Sequence, residues 1–327
     1  MVHRRVHRRS KTALRRVREG ESSRTIFIAL AANLVIAAAK LVAGLVSHST
    51  AMLAESAHSA ADSANEIFLF IGARRDQVPA DDSHPFGHAR ERFLWAFMAA
   101  ISSFLIGGCV SIAMGIAELQ SRHPLSAGLS AWAVLTVSFV ADGTSWLQSM
   151  KQARRQAREY KLHWWQYLRD SSDPVVRSVV FEDSAALLGL AIAAVGLLLS
   201  HVLGNNIPDG IASLAIGVVL AVTAFAMAHP LANFLVGKTL PARMLAILET
   251  MFSEETAIQE VLSVRAIYIG PEEVMVLAQV HPVESLSIEE LTRSMDDLDE
   301  RIRQELPLVA DIFIDITTFH GNNLPTT

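Results

Sequence analysis

Five polar side chains interrupt an otherwise apolar stretch between residues 49 and 73: Glu55, His58, Asp62, Asn65 and Glu66. At about 100° per helical residue they all fall within one sector of roughly 100°, a single polar stripe. An ionisable group at membrane depth costs at least about 2 kcal/mol, so such groups face a cavity, a partner or a substrate path rather than lipid. His58 and Asp62, four residues apart, can offer an imidazole nitrogen and a carboxylate to one small cation. Glu55 and Glu66 read equally well as headgroup-level residues. A second acidic pair, Glu182-Asp183, opens a later apolar stretch, and Asp183 would complete a mixed nitrogen and oxygen site between two helices. Neighbouring helical positions diverge by about 100°, so Glu182 shares that site only if the helix or side chain adjusts. The one cysteine, Cys109, lies in an apolar segment, which excludes an intrachain disulfide and a thiolate zinc cluster.

A second group with metal-ligand chemistry is Asp81, His84 and His88, in the run Asp81-Asp82-Ser83-His84-Pro85-Phe86-Gly87-His88. Helical spacing would gather the three on one side, but Pro85 and Gly87 argue for a turn. The competing reading is a folded loop with no metal. There is neither an HExxH pair nor a serine nucleophile motif, so the chain is not expected to be an enzyme.

These groups must be carried by elements that suit a bilayer. The 327 residues are 51% hydrophobic with a positive mean hydropathy, yet hold 28 basic and 33 acidic side chains, which suggests a membrane part followed by a soluble part. Six spans are expected at 25–46, 49–73, 93–119, 130–150, 179–201 and 211–231, each near the roughly 20 residues a bilayer core requires. The connections after the second and fourth carry four and seven Lys/Arg; those after the first, third and fifth carry none, one and none. Both termini are then cytoplasmic. Residues 1–24 hold nine Lys/Arg and two acids, a basic cytoplasmic tail or an organelle-targeting segment. In the connection 151–178, Arg154, Arg155, Arg158, Trp164, Trp165 and Tyr167 suggest a helix lying on the lipid interface. Its place between two spans argues against a nucleic-acid patch.

From residue 237 to 327 the pattern is that of a small soluble α+β domain in the order αββαβ. Met244, Ile247, Leu248 and Met251 mark one helical face, and Ile288, Leu291, Met295, Leu298 and Ile302 another. Ser287 and Glu290 form a capping box. Strands are expected at 263–269, 274–281 and 311–317, the first two joined at Gly270-Pro271.

His58-x-x-x-Asp62, the Asp81–His88 loop and Asp209-Gly-Ile-Ala-Ser213 together resemble the cation diffusion facilitators, over nearly the whole chain from residue 25. The resemblance implies a six-helix transmembrane domain over 25–236, a cytoplasmic ferredoxin-like domain, a homodimer, and export of a divalent transition metal from the cytosol against protons by alternating access. It gives His58 and Asp62 half of the transport site and Asp183 the acid of the other half, with Asp81, His84 and His88 as a secondary metal site. Zinc members usually place a histidine where Val179 stands, and glycine is common where Glu182 stands. The Glu-Asp pair resembles an atypical zinc-transporter branch. Zinc ranks first, while a site richer in oxygen than two histidines and two aspartates weakens that assignment and leaves room for manganese, iron, cobalt or cadmium. Arg92 lies where relatives often have glutamate; Gln279 and Asp315 replace metal-binding histidines, with His281 and His320 nearby. The alternative is a membrane metal sensor or scaffold that keeps the fold without transport. A bacterial cell membrane is the expected location, an organelle membrane the second.

Overall fold

The computed structural model describes residues 30–31, 33–120, 129–159, 163–170, 174–271 and 273–317. The basic tail, Arg122 and His320 lie outside them. Helix α1 (Asn33–Ser47) reverses into α2 (Thr50–Arg75) across two residues, and the reversal is sharp enough to put His48 at φ 53°. A Cβ at Gly44 would stand 2.7 Å from the Leu53 side chain, so glycine permits the close α1–α2 approach. Helix α3 (Glu91–Gln120) contains a π-helical stretch, Ser103–Cys109. There the extra residue per turn sets Gly107 against Leu220 and Ala61, and Gly108 against Ala221. Helix α4 (Leu129–Glu159), the short α5 (Trp164–Asp170), α6 (Pro174–Leu203) and α7 (Ile207–Val236) follow.

Two compact units result. One takes residues up to Phe70 with Phe97–Gln156 and Val176–Ala228; the other takes Ile71–Ala96, Ala157–Val175 and His229 onward. In the first, small residues and a few large ones fill the interior: Ala51, Ala54, Ala193, Met52, Leu190, Leu197 and Ile216. Alanine lets helix backbones approach where lipid supplies no hydrophobic drive between them. The outward side chains are also apolar, among them Val42, Val137, Val140, Val222 and Phe225. Such an apolar exterior suits lipid. Among the described residues, Glu91–Gln120, Arg177–Leu203 and Ile207–Val236 are long and apolar enough to cross a membrane. Of the six expected spans these are the third, fifth and sixth. Helix α2 falls short because of its own polar stripe, α4 because Asp142, Gly143, Thr144 and Ser145 interrupt its apolar run. Residues 151–159, expected within an interfacial helix, prolong α4, and only α5 is a separate helix.

In the second unit, α8 (Ala242–Ser253) leads into β1 (Ile258–Gly270) and β2 (Glu273–Pro282), then α9 (Ile288–Glu305) into β3 (Val309–Ile316). The sheet order is β1-β2-β3, with β1 and β2 antiparallel (Val264 opposite Ala278) and β2 and β3 parallel (Ala278 opposite Ile314). Leu248 and Phe252 of α8, Val276 and Val280 of β2, and Leu298 and Ile302 of α9 are buried. Helix α9 starts with the full capping box of Ser287 and Glu290, whose hydrogen bonds hold the Glu290 carboxyl below its ordinary range.

Candidate metal centre

The α2 stripe is enclosed by α1, α4 and α6. His58 is 1% exposed; its Nδ1 stands 3.4 Å from Asp62 Oδ1, and neither ring nitrogen makes a hydrogen bond. Asp62 Oδ1, Asn65 Oδ1, Glu66 Oε2, Glu55 Oε1 and Glu182 Oε1 are likewise buried without a hydrogen-bond partner. A buried polar atom left without a partner costs about 1–3 kcal/mol, and a folded protein tolerates few. Here they gather on one helix face and on what faces it. Imidazole nitrogen with carboxylate and amide oxygen is the donor set of a borderline divalent cation.

The remaining contacts orient the stripe. Asn33 donates to Glu66 at 2.7 Å. From α6, Glu182 accepts a hydrogen bond from Asn65 of α2, whereas Asp183 Oδ2 accepts from Ser145 and Ser149 of α4 at 3.0 and 3.1 Å. The divergence of adjacent helical positions thus sends the two acids to different neighbours. Glu182 touches α2, and Asp183, the acid the resemblance favours, faces α4. Bringing Asp183 to a cation at His58 and Asp62 means releasing two serine hydroxyls, while bringing Glu182 means releasing one buried amide.

The groups that face the stripe are Lys40 of α1, Asp142, Ser145 and Ser149 of α4, and Gly189 of α6, where a Cβ would collide with the Glu55 carboxylate; of these the sequence marks Asp142 as a membrane-region acid suited to a proton path or to helix-to-helix hydrogen bonding, without placing it beside the stripe. The signal available was Lys40 itself, a lone cation in an apolar run.

The loop forms a tighter cluster. Among the described residues, Asp81, His84 and His88 are the one set of three or more His, Cys, Asp or Glu whose ligand atoms all lie within 4.8 Å of one another. Asp81 Oδ1 accepts from the amides of Ser83 and His84 at 2.8 and 2.7 Å, folding the turn that Pro85 and Gly87 (φ 84°) require. His88 Nε2 stands 3.1 Å from Asp81 Oδ2 and its Nδ1 2.7 Å from Glu91 Oε1. Hydrogen bonds from Ser83 and then His88 hold the Asp81 carboxyl below the carboxylate range, and those with Asp81 and then Glu91 raise His88. Glu91 was not singled out in the sequence, where it reads as a helix-opening acid. Arg92 pairs with Asp76 at 3.0 Å. In the sheet, Gln279 donates to Asp315 at 3.0 Å, and buried His281 meets Thr317 O at 2.9 Å, a satisfied structural histidine.

A family model for the cation efflux transmembrane domain matches residues 26–236. A Xenopus laevis protein named proton-coupled zinc antiporter SLC30A9, mitochondrial, is 28% identical over 241 residues, 74% of this chain and 43% of its own length. An Arabidopsis thaliana protein named metal tolerance protein C4 is 28% identical over 270 residues, 82% of this chain and 59% of its own. A Bacillus subtilis protein named manganese efflux system protein MneP is 21% identical over 300 residues, 86% of this chain and 95% of its own. The chain spans less than half the length of the animal relative and under two thirds of the plant one.

Proposed function

Because the chain belongs to the cation efflux family, whose transmembrane domain its residues 26–236 match, we propose that it exports a divalent transition metal, zinc first, in exchange for protons. The observation that carries this is the pair of buried His58 and half-buried Asp62, 3.4 Å apart with both ring nitrogens and one buried carboxylate oxygen unengaged. The names of the animal and plant relatives support zinc or a similar metal, and that of the Bacillus relative supports manganese as the second substrate.

The metal reaches the stripe from the cytosolic side, is held by His58, Asp62 and an acid of α6, and leaves after the helices rearrange to open the opposite side. Only neutral imidazole has a lone pair for the ion, and a carboxylate binds it only when ionised, so metal and protons compete for the same atoms. Asp183 is the α6 ligand in this reading; its two bonds are to neutral hydroxyls, which hold the carboxylate ready without cancelling its charge. The Asp81–His84–His88 cluster is a secondary metal site, with Glu91 positioning His88.

Both termini lie on the cytosolic side of six spans, and the C-terminal α+β part is a ferredoxin-like domain that pairs two copies. Basic connections after the second and fourth spans support the topology. Reporters fused at residue 327 and in the 204–208 connection should report opposite sides, and a monomeric mass in mild detergent would sink the pairing. For transport itself, inward zinc flux into liposomes loaded with a pH dye should drive protons outward. Zinc movement with no proton counterflux would leave transport and remove the exchange. A protein that binds zinc but moves none would favour the sensor reading.

A further inference from the structure

Lys40 lies in α1 with 1% of its surface exposed, and its ammonium is shared by two other helices. Nζ stands 3.1 Å from Glu55 Oε2, 3.0 Å from Ser59 Oγ of α2, and 3.7 Å from Asp142 Oδ2 of α4. Two of its donors thus meet Glu55 and Ser59, and Asp142 adds a second carboxylate at ion-pair distance. Glu55 is fully buried, and its second oxygen, against Gly189, has no hydrogen-bond partner. A structural ion pair needs one carboxylate for one ammonium, and even then the desolvation of both charges cancels much of the attraction. This cluster carries a second carboxylate and a free oxygen lone pair beyond that need. Oxygen donors in that number are what a divalent cation takes from a protein.

The cluster adjoins the transport stripe. Glu55 is one turn before His58 on the same face of α2, and Ser59 follows His58. At a helical rise of about 1.5 Å per residue the two groups are neighbours along the path. A cation leaving His58 and Asp62 toward the N-terminal end of α2 meets the ammonium next.

We propose that Lys40, Glu55, Ser59 and Asp142 form a second intramembrane cation site, kept filled by the chain's own ammonium so that the transport path holds one metal ion. This rests on the reading that the chain binds divalent metal between its helices. The tethered charge repels a second dication from the neighbouring position. Without it, Glu55 and Asp142 supply two negative charges and the oxygens for an exogenous ion.

The test is the zinc content per protomer of detergent-purified protein, by elemental analysis and titration calorimetry, in a His84→Ala/His88→Ala background that removes the loop cluster. One zinc is expected in that parent, two when Lys40→Gln is added, and one again in Lys40→Gln/Glu55→Gln. A single zinc in folded Lys40→Gln overturns the proposal and leaves the His58–Asp62 site standing. A parent that binds none while Lys40→Gln binds one sinks the His58–Asp62 assignment and keeps this one. If Lys40→Gln folds only when zinc is supplied, metal is replacing the ammonium as expected. If it stays unfolded with zinc, whether or not the double variant folds, Lys40 is a structural group and the proposal falls.

Discussion

Asp62→Asn is expected to stop zinc flux in proteoliposomes. The substitution keeps the shape of the side chain and removes its charge beside His58, at 3.4 Å. A dication in a water-poor site with one carboxylate fewer resembles a buried ion pair with one partner removed, which costs about 3–5 kcal/mol. At about 1.4 kcal/mol per factor of ten, zinc affinity falls by roughly two to four orders of magnitude. His58→Ala should fall less far, since a neutral ligand is lost. Asp183→Asn should match Asp62→Asn, while Glu182→Gln keeps flux within about tenfold, the size of one buried hydrogen bond. The reverse order, with Glu182→Gln inactive and Asp183→Asn active, would make Glu182 the ligand from α6. Native flux in Asp62→Asn would remove the site altogether.

The ranking of those two acids shows where the sequence stops being legible. The α2 stripe could be read because a helix repeats every 3.6 residues and because charge in an apolar segment is too costly to be incidental. Which way Glu182 and Asp183 face depends on the rotation of α6 against α2 and α4, and the partners that record it, Asn65, Ser145 and Ser149, are 117, 38 and 34 residues away. No local pattern carries that. Lys40 is a lone cation in an apolar run, but its partners stand 15 and 102 positions on, so no local pattern names them. The π-helical stretch in α3 was invisible for a related reason, since it accommodates the packing of Gly107 and Gly108 on other helices rather than a preference of its own residues.

In the C-terminal elements local signals did more. The second strand, expected at 274–281, is Glu273–Pro282, because alternation and the Gly270-Pro271 turn bound it on one side. The first begins at Ile258 rather than 263; Glu260 looks like a loop residue but pairs with His281 of β2, which outweighs its low strand propensity, and Gln259 is the extra residue of a bulge between the Ile258 and Glu260 pairs. Residues 151–159 continue α4 because the run Lys-Gln-Ala-Arg-Arg-Gln-Ala-Arg-Glu contains good helix formers and no breaker. The charge change at Met150 marks a change of surroundings, not a helix end.

Asp209 carries the largest expected stability effect, and the structure gives this motif residue a physical role. It is fully buried at the start of α7, yet its carboxylate serves α2: Oδ1 accepts from Ser49 Oγ at 2.6 Å, and Oδ2 from Thr50 Oγ1 at 2.9 Å and the Ala51 amide at 3.1 Å. Ser49 Oγ in turn accepts from the Met52 amide at 3.2 Å, so the serine caps α2 and the aspartate fixes the serine. A negative charge at a helix N-terminus also suits the helix dipole. Asp209→Ala loses about 1 kcal/mol of capping and leaves two hydroxyls and an amide without their acceptor at about 1–3 kcal/mol each. Because neighbouring losses do not add fully, about 3–5 kcal/mol is expected. At roughly 2–4 °C per kcal/mol, the unfolding temperature in mild detergent drops by about 10 °C. Asp209→Asn, which keeps an acceptor oxygen without the charge, should fall between. The same loosening reaches His58 and Asp62 through α2, so zinc affinity below the melting point should weaken in Asp209→Ala although the residue touches no metal ligand. An unfolding temperature within about 2 °C of the native protein, below the shift for 1 kcal/mol, would show that α2 holds its start without α7.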